Sequence, residues 1–217
     1  MLLYYITART QFPGREAERR AALLARIAEA AHAGVDYIQL REKDLNSGDL
    51  ASLARAALAR IRANSSTTRL IINSRTDVAL AVRADGAHLT SNDLAPAEVR
   101  AIVAATPRAA GFMIAVSCHS AAEVLRAAEQ GADFAVLAPV FEKPGAAPCG
   151  LDALRAAAKG CAIPVLALGG VTIDNASACL AAGAAGVAGI RLFQQGDIAD
   201  TVRRLRSNAI TGTNNFE

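Results

Sequence analysis

Hydrophobic and polar positions along this chain form a repeating pattern, in which a short apolar run is followed by a longer amphipathic segment about every 25 residues. The short runs are rich in Val, Ile, Leu and Tyr, which favours β-strands. They predict strands at residues 2–7, 37–42, 69–73, 86–90, 113–118, 134–140, 164–169 and 187–192. Between them, segments such as residues 15–33, 48–63 and 121–130 have the spacing of helices.

Alternating strands and helices predict an α/β protein with a parallel sheet and right-handed crossovers. Gly34, Gly131, Gly160 and Gly183 each follow a helical segment, where a left-handed backbone is common and glycine adopts it readily. Eight units predict a single (β/α)8 TIM barrel over residues 1–206, with residues 207–217 as a flexible C-terminal tail. A doubly wound open sheet is the alternative, and it is disfavoured because no glycine-rich dinucleotide fingerprint follows the first strand.

Composition supports a large buried core and excludes several classes of function. Hydrophobic residues make up 53% of the 217 residues and aromatic residues only 4%, so Ala, Leu, Val and Ile must fill most of the core. The net charge is +3 and the arginines are scattered, which disfavours nucleic-acid binding. The four cysteines lack C-x-x-C spacing, which favours small apolar roles in a reducing compartment.

No cationic signal region opens the chain, and no apolar run approaches roughly 18 residues. We therefore expect a cytoplasmic protein without a membrane segment. The sequence does not determine the oligomeric state, for which a homodimer is one option.

Polar residues at the ends of the predicted strands carry the candidate chemistry, because in a TIM barrel these ends meet at one face. The second strand ends in Gln39, Arg41 and Lys43. Two fixed cations suit a phosphorylated substrate, since Arg offers a bidentate fork and Lys a compact charge. A merely solvated strand end is the alternative for these residues.

A second anion site is predicted at the seventh and eighth strands. Gly169 and Gly170 allow backbone N–H groups to approach an anion, and the segment ending in Ile190 and Arg191 would lie beside them. The cations of strand two and Lys143 then indicate a further anionic group such as a diphosphate. Asp93 is a candidate Mg²⁺ ligand, although it could equally cap the helix that follows.

Two histidines are also candidates for a role near these strand ends. His119 follows the fifth strand and could act as an acid or base, but capping or packing against the next helix is the favoured interpretation. His88 lies inside a strand and is predicted to be structural, with one hydrogen-bonded nitrogen.

The order of these motifs resembles the thiamin phosphate synthase and TenI superfamily from about residue 4 to residue 193. The resemblance rests on QLREK at 39–43, LIINSRTDVALAVRADGAHL at 70–89, GADFAVLAPVF at 131–141, KPGAAPCGL at 143–151 and LALGGVT at 166–172, together with Asp93 and Ser117. Members that resemble the synthase join a hydroxymethylpyrimidine diphosphate to a thiazole phosphate and release pyrophosphate.

The resemblance implies a role for each matching residue. The residues expected to hold the pyrimidine diphosphate are Gln39, Arg41, Lys43, Asn73 and Lys143. Asp93 would bind Mg²⁺ and Ser117 would contact the reacting centre, and Ser117 and Lys143 are the candidate catalytic residues. Gly169 and Gly170, with the backbone at Ile190 and Arg191, would bind the thiazole phosphate.

Several positions depart from the family pattern. Ser74 replaces the usual second metal carboxylate, Glu142 directly precedes Lys143 in a shortened loop, and Arg191 stands where a small Ser is usual. A TenI-like thiazole tautomerase is the alternative enzyme, but Pro139 occupies the position of its usual acid/base His, for which His119 would have to substitute. A non-catalytic binder of phosphorylated ligands is the alternative of another class.

Overall fold

The structure, a computed structural model, describes residues 1–107, 109–142, 145 and 147–211. Eight parallel strands close into one barrel in chain order. They are β1 (Leu2–Ile6), β2 (Tyr37–Leu40), β3 (Arg69–Asn73), β4 (Gly86–Leu89), β5 (Met113–Cys118), β6 (Phe134–Leu137), β7 (Val165–Ala167) and β8 (Gly186–Gly189). Because β1 pairs with β8, with Leu2 opposite Gly186, the sheet is closed. The predicted TIM barrel is confirmed, and the open sheet is wrong.

The strands are joined through helices that pack around the barrel. They are α1 (Glu16–His32), α2 (Ser47–Asn64), α3 (Thr76–Val82), α4 (Pro96–Ala104), α5 (Ala121–Glu129), α6 (Gly150–Ala158), α7 (Ala176–Ala181), α8 (Arg191–Gln194) and α9 (Ile198–Thr211), with a 3₁₀ turn at Arg9–Gln11. The four glycines predicted to end helices all have positive φ angles: Gly34 at 87°, Gly131 at 82°, Gly160 at 74° and Gly183 at 96°. The left-handed backbone expected at these positions is therefore confirmed.

Three predicted boundaries differ from the structure by three residues or more, and several other strand ends differ by one or two residues. Strand β6 ends at Leu137 rather than at residue 140, because Pro139 has no N–H to offer to a ladder. Strand β8 ends at Gly189, and α8 begins at Arg191, so residues 190–192 leave the sheet. Helix α9 extends to Thr211, so residues 207–211 of the predicted tail continue a helix, and residues 212–217 lie outside the described chain.

The hydrophobic core has two parts, one between the sheet and the helices and one inside the barrel. Aromatic rings fill the lower interior: Tyr37 stacks on Phe134 with centroids 4.9 Å apart, and Tyr4 meets Phe134 edge-on at 5.4 Å. These rings close the barrel from below, and the polar strand ends lie above them. Within the described parts of the chain, no helix combines the length and the apolar character needed to cross a membrane.

Candidate active site

A cavity of about 950 Å³ opens at the carboxyl ends of the strands. The predicted ligand-binding residues described by the structure all line it, together with Ser117; they are Gln39, Arg41, Lys43, Asn73, Gly169, Gly170, Ile190 and Arg191. Lys143 lies outside the described residues. The barrel thus brings together side chains up to about 150 positions apart in the sequence, because their strands are neighbours in space.

The deep part of the cavity contains a polar chain of four side chains: Gln39, Tyr4, His88 and Ser117. Gln39 Nε2 donates to Tyr4 Oη over 3.0 Å, and Tyr4 Oη lies 3.1 Å from His88 Nδ1. His88 Nε2 lies 2.7 Å from Ser117 Oγ. The first three residues are no more than 3% exposed, so these hydrogen bonds satisfy groups that water cannot reach.

Burial decides the charge of His88. It lowers the imidazole pKa to about 3, an effect that Asp93 opposes and Arg41 reinforces. His88 is therefore neutral near pH 7 and holds one proton. The structural role predicted for it is consistent with this placement, but both ring nitrogens have partners rather than one.

The mouth of the cavity is cationic. Its unpaired cations are Arg41, Lys43 and Arg191, of which Lys43 and Arg191 are exposed and Arg41 is half-buried. The lining also contains Glu142 and an ion pair between Arg204 and Asp174. No carboxylate of the described residues forms an ion pair with Arg41, Lys43 or Arg191. Their charge is therefore available to an anionic ligand, whereas most other arginines of the barrel already pair with Asp or Glu.

The opposite side of the mouth offers backbone donors. Among the residues described, the amide N–H groups of Gly170, Val171 and Ile190 make no hydrogen bond. The turn that presents them is held by Asn175, whose Nδ2 donates to Gly170 O and whose Oδ1 accepts from Thr172 N–H. Unpaired N–H groups at the edge of a cavity are suited to bind an anion.

The two glycines of this turn are also required for packing. A Cβ at Gly169 would lie 2.6 Å from Pro139 Cβ, and one at Gly170 would lie 2.7 Å from Phe141 Cβ. Their φ angles are +94° and +66°, which disfavour other residues. Glycine is therefore required at both positions by the backbone conformation of the turn and by its close packing against the loop after β6.

Asp93, the residue predicted as a metal ligand, follows β4 but is not among the residues that line the cavity, and it already has local partners. Its Oδ2 accepts hydrogen bonds from Thr90 N–H at 2.7 Å and from Thr90 Oγ1 at 2.9 Å. It therefore stabilises the turn after β4, and it does not cap α4, because that helix begins after Ala95. The structure shows no hydrogen bond to Asp93 Oδ1 from the described residues, so this oxygen is left for another ligand.

A buried ionic network supports the rim, and sequence reasoning missed it. Arg9 is 3% exposed and donates to Glu42 at 3.1 Å and, through both terminal nitrogens, to Asp44 at 2.7 Å. Glu42 also accepts from Thr7 Oγ1 at 2.6 Å, and the same hydroxyl accepts from Arg41 N–H at 3.0 Å. The carboxylate between Arg41 and Lys43 thus faces away from the cavity and fixes the backbone that carries them.

His119 lies at the mouth, beside the polar chain but not part of it. Its Nδ1 is 2.7 Å from Ala138 O, a carbonyl that can only accept, so Nδ1 carries the proton. Ser120, rather than His119, caps α5 by accepting from Glu123 N–H. The favoured interpretation of His119 as a cap is wrong in this respect, since the ring contacts the loop after β6.

Comparison with known proteins shows the family to which this chain belongs. A family model described as thiamine monophosphate synthase matches residues 3–193. A putative thiamine-phosphate synthase of Geobacter sulfurreducens is 42% identical over 212 residues, which are 96% of this chain and 92% of that protein. The chain belongs to the thiamine monophosphate synthase family.

Other proteins extend the likeness. The thiamine-phosphate synthase of Methanoculleus marisnigri is 41% identical over 209 residues, covering 94% of this chain and 93% of its own. The solved thiamine phosphate pyrophosphorylase of Pyrococcus furiosus superposes with a TM-score of 0.82 at 28% identity, over 97% of this chain and 96% of that one. A 3-hexulose-6-phosphate synthase, at 19% identity and a TM-score of 0.67, shares the fold alone.

In this member of the thiamine monophosphate synthase family, the three positions predicted to depart from the family pattern at Ser74, Pro139 and Arg191 can be placed in the structure. Ser74 has a φ angle of 59°, and its Oγ accepts from Asn73 Nδ2 at 3.0 Å. Pro139 packs on Gly169, and Arg191 begins α8 with its side chain at the cavity mouth. These three positions follow β3, β6 and β8, and none of them belongs to the polar chain.

Proposed function

We propose that this protein is a thiamine-phosphate synthase, a transferase that joins hydroxymethylpyrimidine diphosphate to thiazole phosphate and releases pyrophosphate. The observation that carries the proposal is the pairing of two anion sites across one cavity mouth. Unpaired cations stand after β2, and unpaired amides stand after β7 and β8. A reaction between two phosphorylated substrates needs both sites within reach of one reacting centre.

The proposal assigns the rim after β2 to the diphosphate. Arg41 can form a bidentate contact with phosphate oxygens, and Lys43 adds a mobile point charge. Asn73 lines the same wall. Gln39, at 1% exposure, lies deeper than the charged pair and contacts the ring of the substrate rather than its phosphates.

The proposed reaction mainly requires stabilisation of the leaving group, pyrophosphate. When the bond between the pyrimidine methylene carbon and the diphosphate oxygen breaks, both bonding electrons leave with the oxygen. Cations preorganised at the rim stabilise that charge, and a closed aromatic base below excludes water from the carbon that is left electron-poor. The thiazole nitrogen then forms the new C–N bond, so no side chain has to act as a strong base.

Mg²⁺ belongs to the proposal as an expectation from the family. The described residues contain no group of three or more His, Cys, Asp or Glu that could hold a metal ion by themselves. Mg²⁺ commonly uses one or two carboxylates and takes its other ligands from water and substrate phosphates, and Asp93 Oδ1 fits that pattern. When bound, the ion would neutralise charge on the departing diphosphate.

Restoring a second carboxylate should strengthen the metal site. We expect Ser74→Asp to tighten Mg²⁺ binding in the presence of pyrophosphate about tenfold, because a second carboxylate would join Asp93. The left-handed backbone at residue 74 accepts Asp and Asn better than most residues, so the fold should tolerate the change. Calorimetric titration with Mg²⁺ measures the effect, and Ser74→Asn is the neutral control; equal affinities for the two variants would contradict the prediction.

The proposed reaction is tested directly with the purified chain, both substrates and Mg²⁺. Release of pyrophosphate together with formation of thiamin phosphate is the expected result, and omission of either substrate should abolish both signals. Tight binding of thiazole phosphate without turnover would overturn the synthase proposal in favour of a phosphate-ligand binder. Isomerisation of a thiazole carboxylate phosphate without pyrophosphate release would favour the tautomerase instead.

A further inference from the structure

The polar chain in the deep cavity connects residues on four different strands. Gln39 is on β2, Tyr4 on β1, His88 on β4 and Ser117 on β5, and both end residues line the cavity. None of the four side chains is charged near pH 7, since burial raises the pKa of the Tyr4 phenol and lowers that of His88. The polar chain of four side chains therefore contains a fixed number of protons, and each of its hydrogen bonds needs one of them.

Counting those protons gives the chain a direction. Gln39 Nε2 can only donate, so Tyr4 Oη accepts and uses its own proton toward His88 Nδ1. Nδ1 must then be unprotonated, and the single imidazole proton lies on Nε2. Nε2–H donates to Ser117 Oγ, so the Ser117 proton is excluded from this contact and is directed at the cavity.

We propose that Tyr4 and His88 are positioning residues that hold Ser117 as a hydrogen-bond donor to the ligand. The proposal deepens the proposed function and rests on it for the identity of the ligand. Ser117 is partly exposed in the cavity wall, whereas Gln39 is 1% exposed. With the pyrimidine ring beside Gln39 and the diphosphate at the rim, the proposal therefore assigns Ser117 to the boundary between them. The oxygen that bridges ring and diphosphate lies at this boundary, and it gains negative charge as its bond to carbon breaks.

A donor at that oxygen assists the reaction without transferring a proton. The C–O bond breaks, its electron pair stays on the oxygen of the departing pyrophosphate, and the Ser117 O–H bond remains intact while its hydrogen bond strengthens. A serine free to rotate would spend part of its time donating to His88 instead. The neutral Nε2–H of His88 prevents this, because it leaves no acceptor on that side.

The tautomer of His88 can be observed without any substrate. The chain has three histidines, His32, His88 and His119, so long-range ¹H–¹⁵N NMR of the imidazoles is readily assigned with a His88→Gln variant. We expect His88 to show a protonated Nε2 and an unprotonated Nδ1, unchanged between about pH 8 and about pH 5. A protonated Nδ1 would reverse the chain, make Ser117 an acceptor from the ligand and overturn the proposal.

Removal of the Tyr4 hydroxyl tests whether Tyr4 orients Ser117 through His88, and it separates this effect from the packing of the Tyr4 ring. Tyr4→Phe keeps the ring against Phe134 but leaves His88 Nδ1 without its donor, so the NMR signals should report a mixture of tautomers. We expect kcat to fall about tenfold, the size of one hydrogen bond, while KM for both substrates changes less than about twofold.

The double variant decides whether the effect passes through Ser117. In a Ser117→Ala background, adding Tyr4→Phe should cause no further loss of kcat, because there is no hydroxyl left to orient. If the two substitutions lowered kcat by factors that multiply, Tyr4 would act on the fold or on the ligand directly. That result would overturn the proposal that Tyr4 acts through Ser117. If the wild-type chain shows no synthase turnover at all, the NMR result still tests the direction of the polar chain, so the two failures are distinguishable.

Discussion

Replacement of Arg9 by Met is expected to lower the free energy of unfolding by about 3–5 kcal/mol, the typical cost of removing one partner from a buried ion pair. Arg9 and Glu42 are 3% and 5% exposed, so the Glu42 carboxylate would stay buried with only the Thr7 hydroxyl and the backbone N–H of residue 9 as donors. Urea unfolding at neutral pH measures the change. Arg15→Met, which removes a pair with Glu18 from an exposed arginine, is the matched control and should cost less than about 0.5 kcal/mol.

The acid dependence of the variant gives a second check. The hydrogen bond from Arg9 lowers the pKa of the Asp44 carboxyl from 3.8 to about 2. A depressed carboxyl pKa stabilises the folded state above the unfolded value, and this stabilisation is lost as the pH falls from about 4 to about 2. In Arg9→Met this loss of stability with falling pH should be absent. The assignment would be contradicted if the difference in unfolding free energy between the wild type and the variant stayed the same across this pH range. Because Asp44 is mostly exposed, solvent screening keeps its share small.

The second large effect concerns activity rather than stability. Arg41→Ala should lower kcat/KM for the pyrimidine diphosphate by about 100-fold or more, because a charge-assisted bidentate contact to phosphate is lost at the place where charge develops. The melting temperature should hardly change, since no carboxylate of the described residues pairs with Arg41 in the folded protein. Steady-state kinetics together with thermal unfolding separate the two effects.

Two variants serve as controls for Arg41. Arg41→Lys keeps the charge but not the fork, so it should recover only part of the activity. Arg55→Ala removes an exposed arginine from the outer face of α2 and should leave kcat/KM unchanged. An Arg41→Ala variant that unfolds, or that retains full activity, would contradict the binding role.

Much of the barrel could be predicted from the chain because its signals are local. Apolar runs, helical spacing and the glycines after helices depend on nearest neighbours, and the structure confirms them at Gly34 and Gly131. The strand ends at Gln39 and Gly169 could be placed around one cavity because barrel topology brings all strand ends together. The prediction failed where the local sequence does not determine the secondary structure. At residues 190–192, for example, α8 replaces the expected end of a strand.

The buried polar groups could not be predicted because their partners are distant in sequence. Tyr4 and His88 are 84 positions apart, and no pattern in either segment indicates that their side chains meet. Arg9 stands in a short connection where an arginine is normally exposed, and only the fold shows that it is buried against Glu42 and Asp44. Burial of a polar group depends on tertiary contacts, whereas periodicity reports only on one element at a time.

The division of the cavity into a charged rim and an uncharged polar chain gives the site a direction of entry. An anionic group that passed below Arg41, Lys43 and Arg191 would lose its contacts with these cations and with water. Only uncharged polar groups would replace them, so the cost in free energy would be high. A ligand with one anionic end must therefore enter with its uncharged end first and stop when its charge reaches the rim. The depth of the cavity therefore selects ligands by the distance between their ring and their charged group, and not by charge alone.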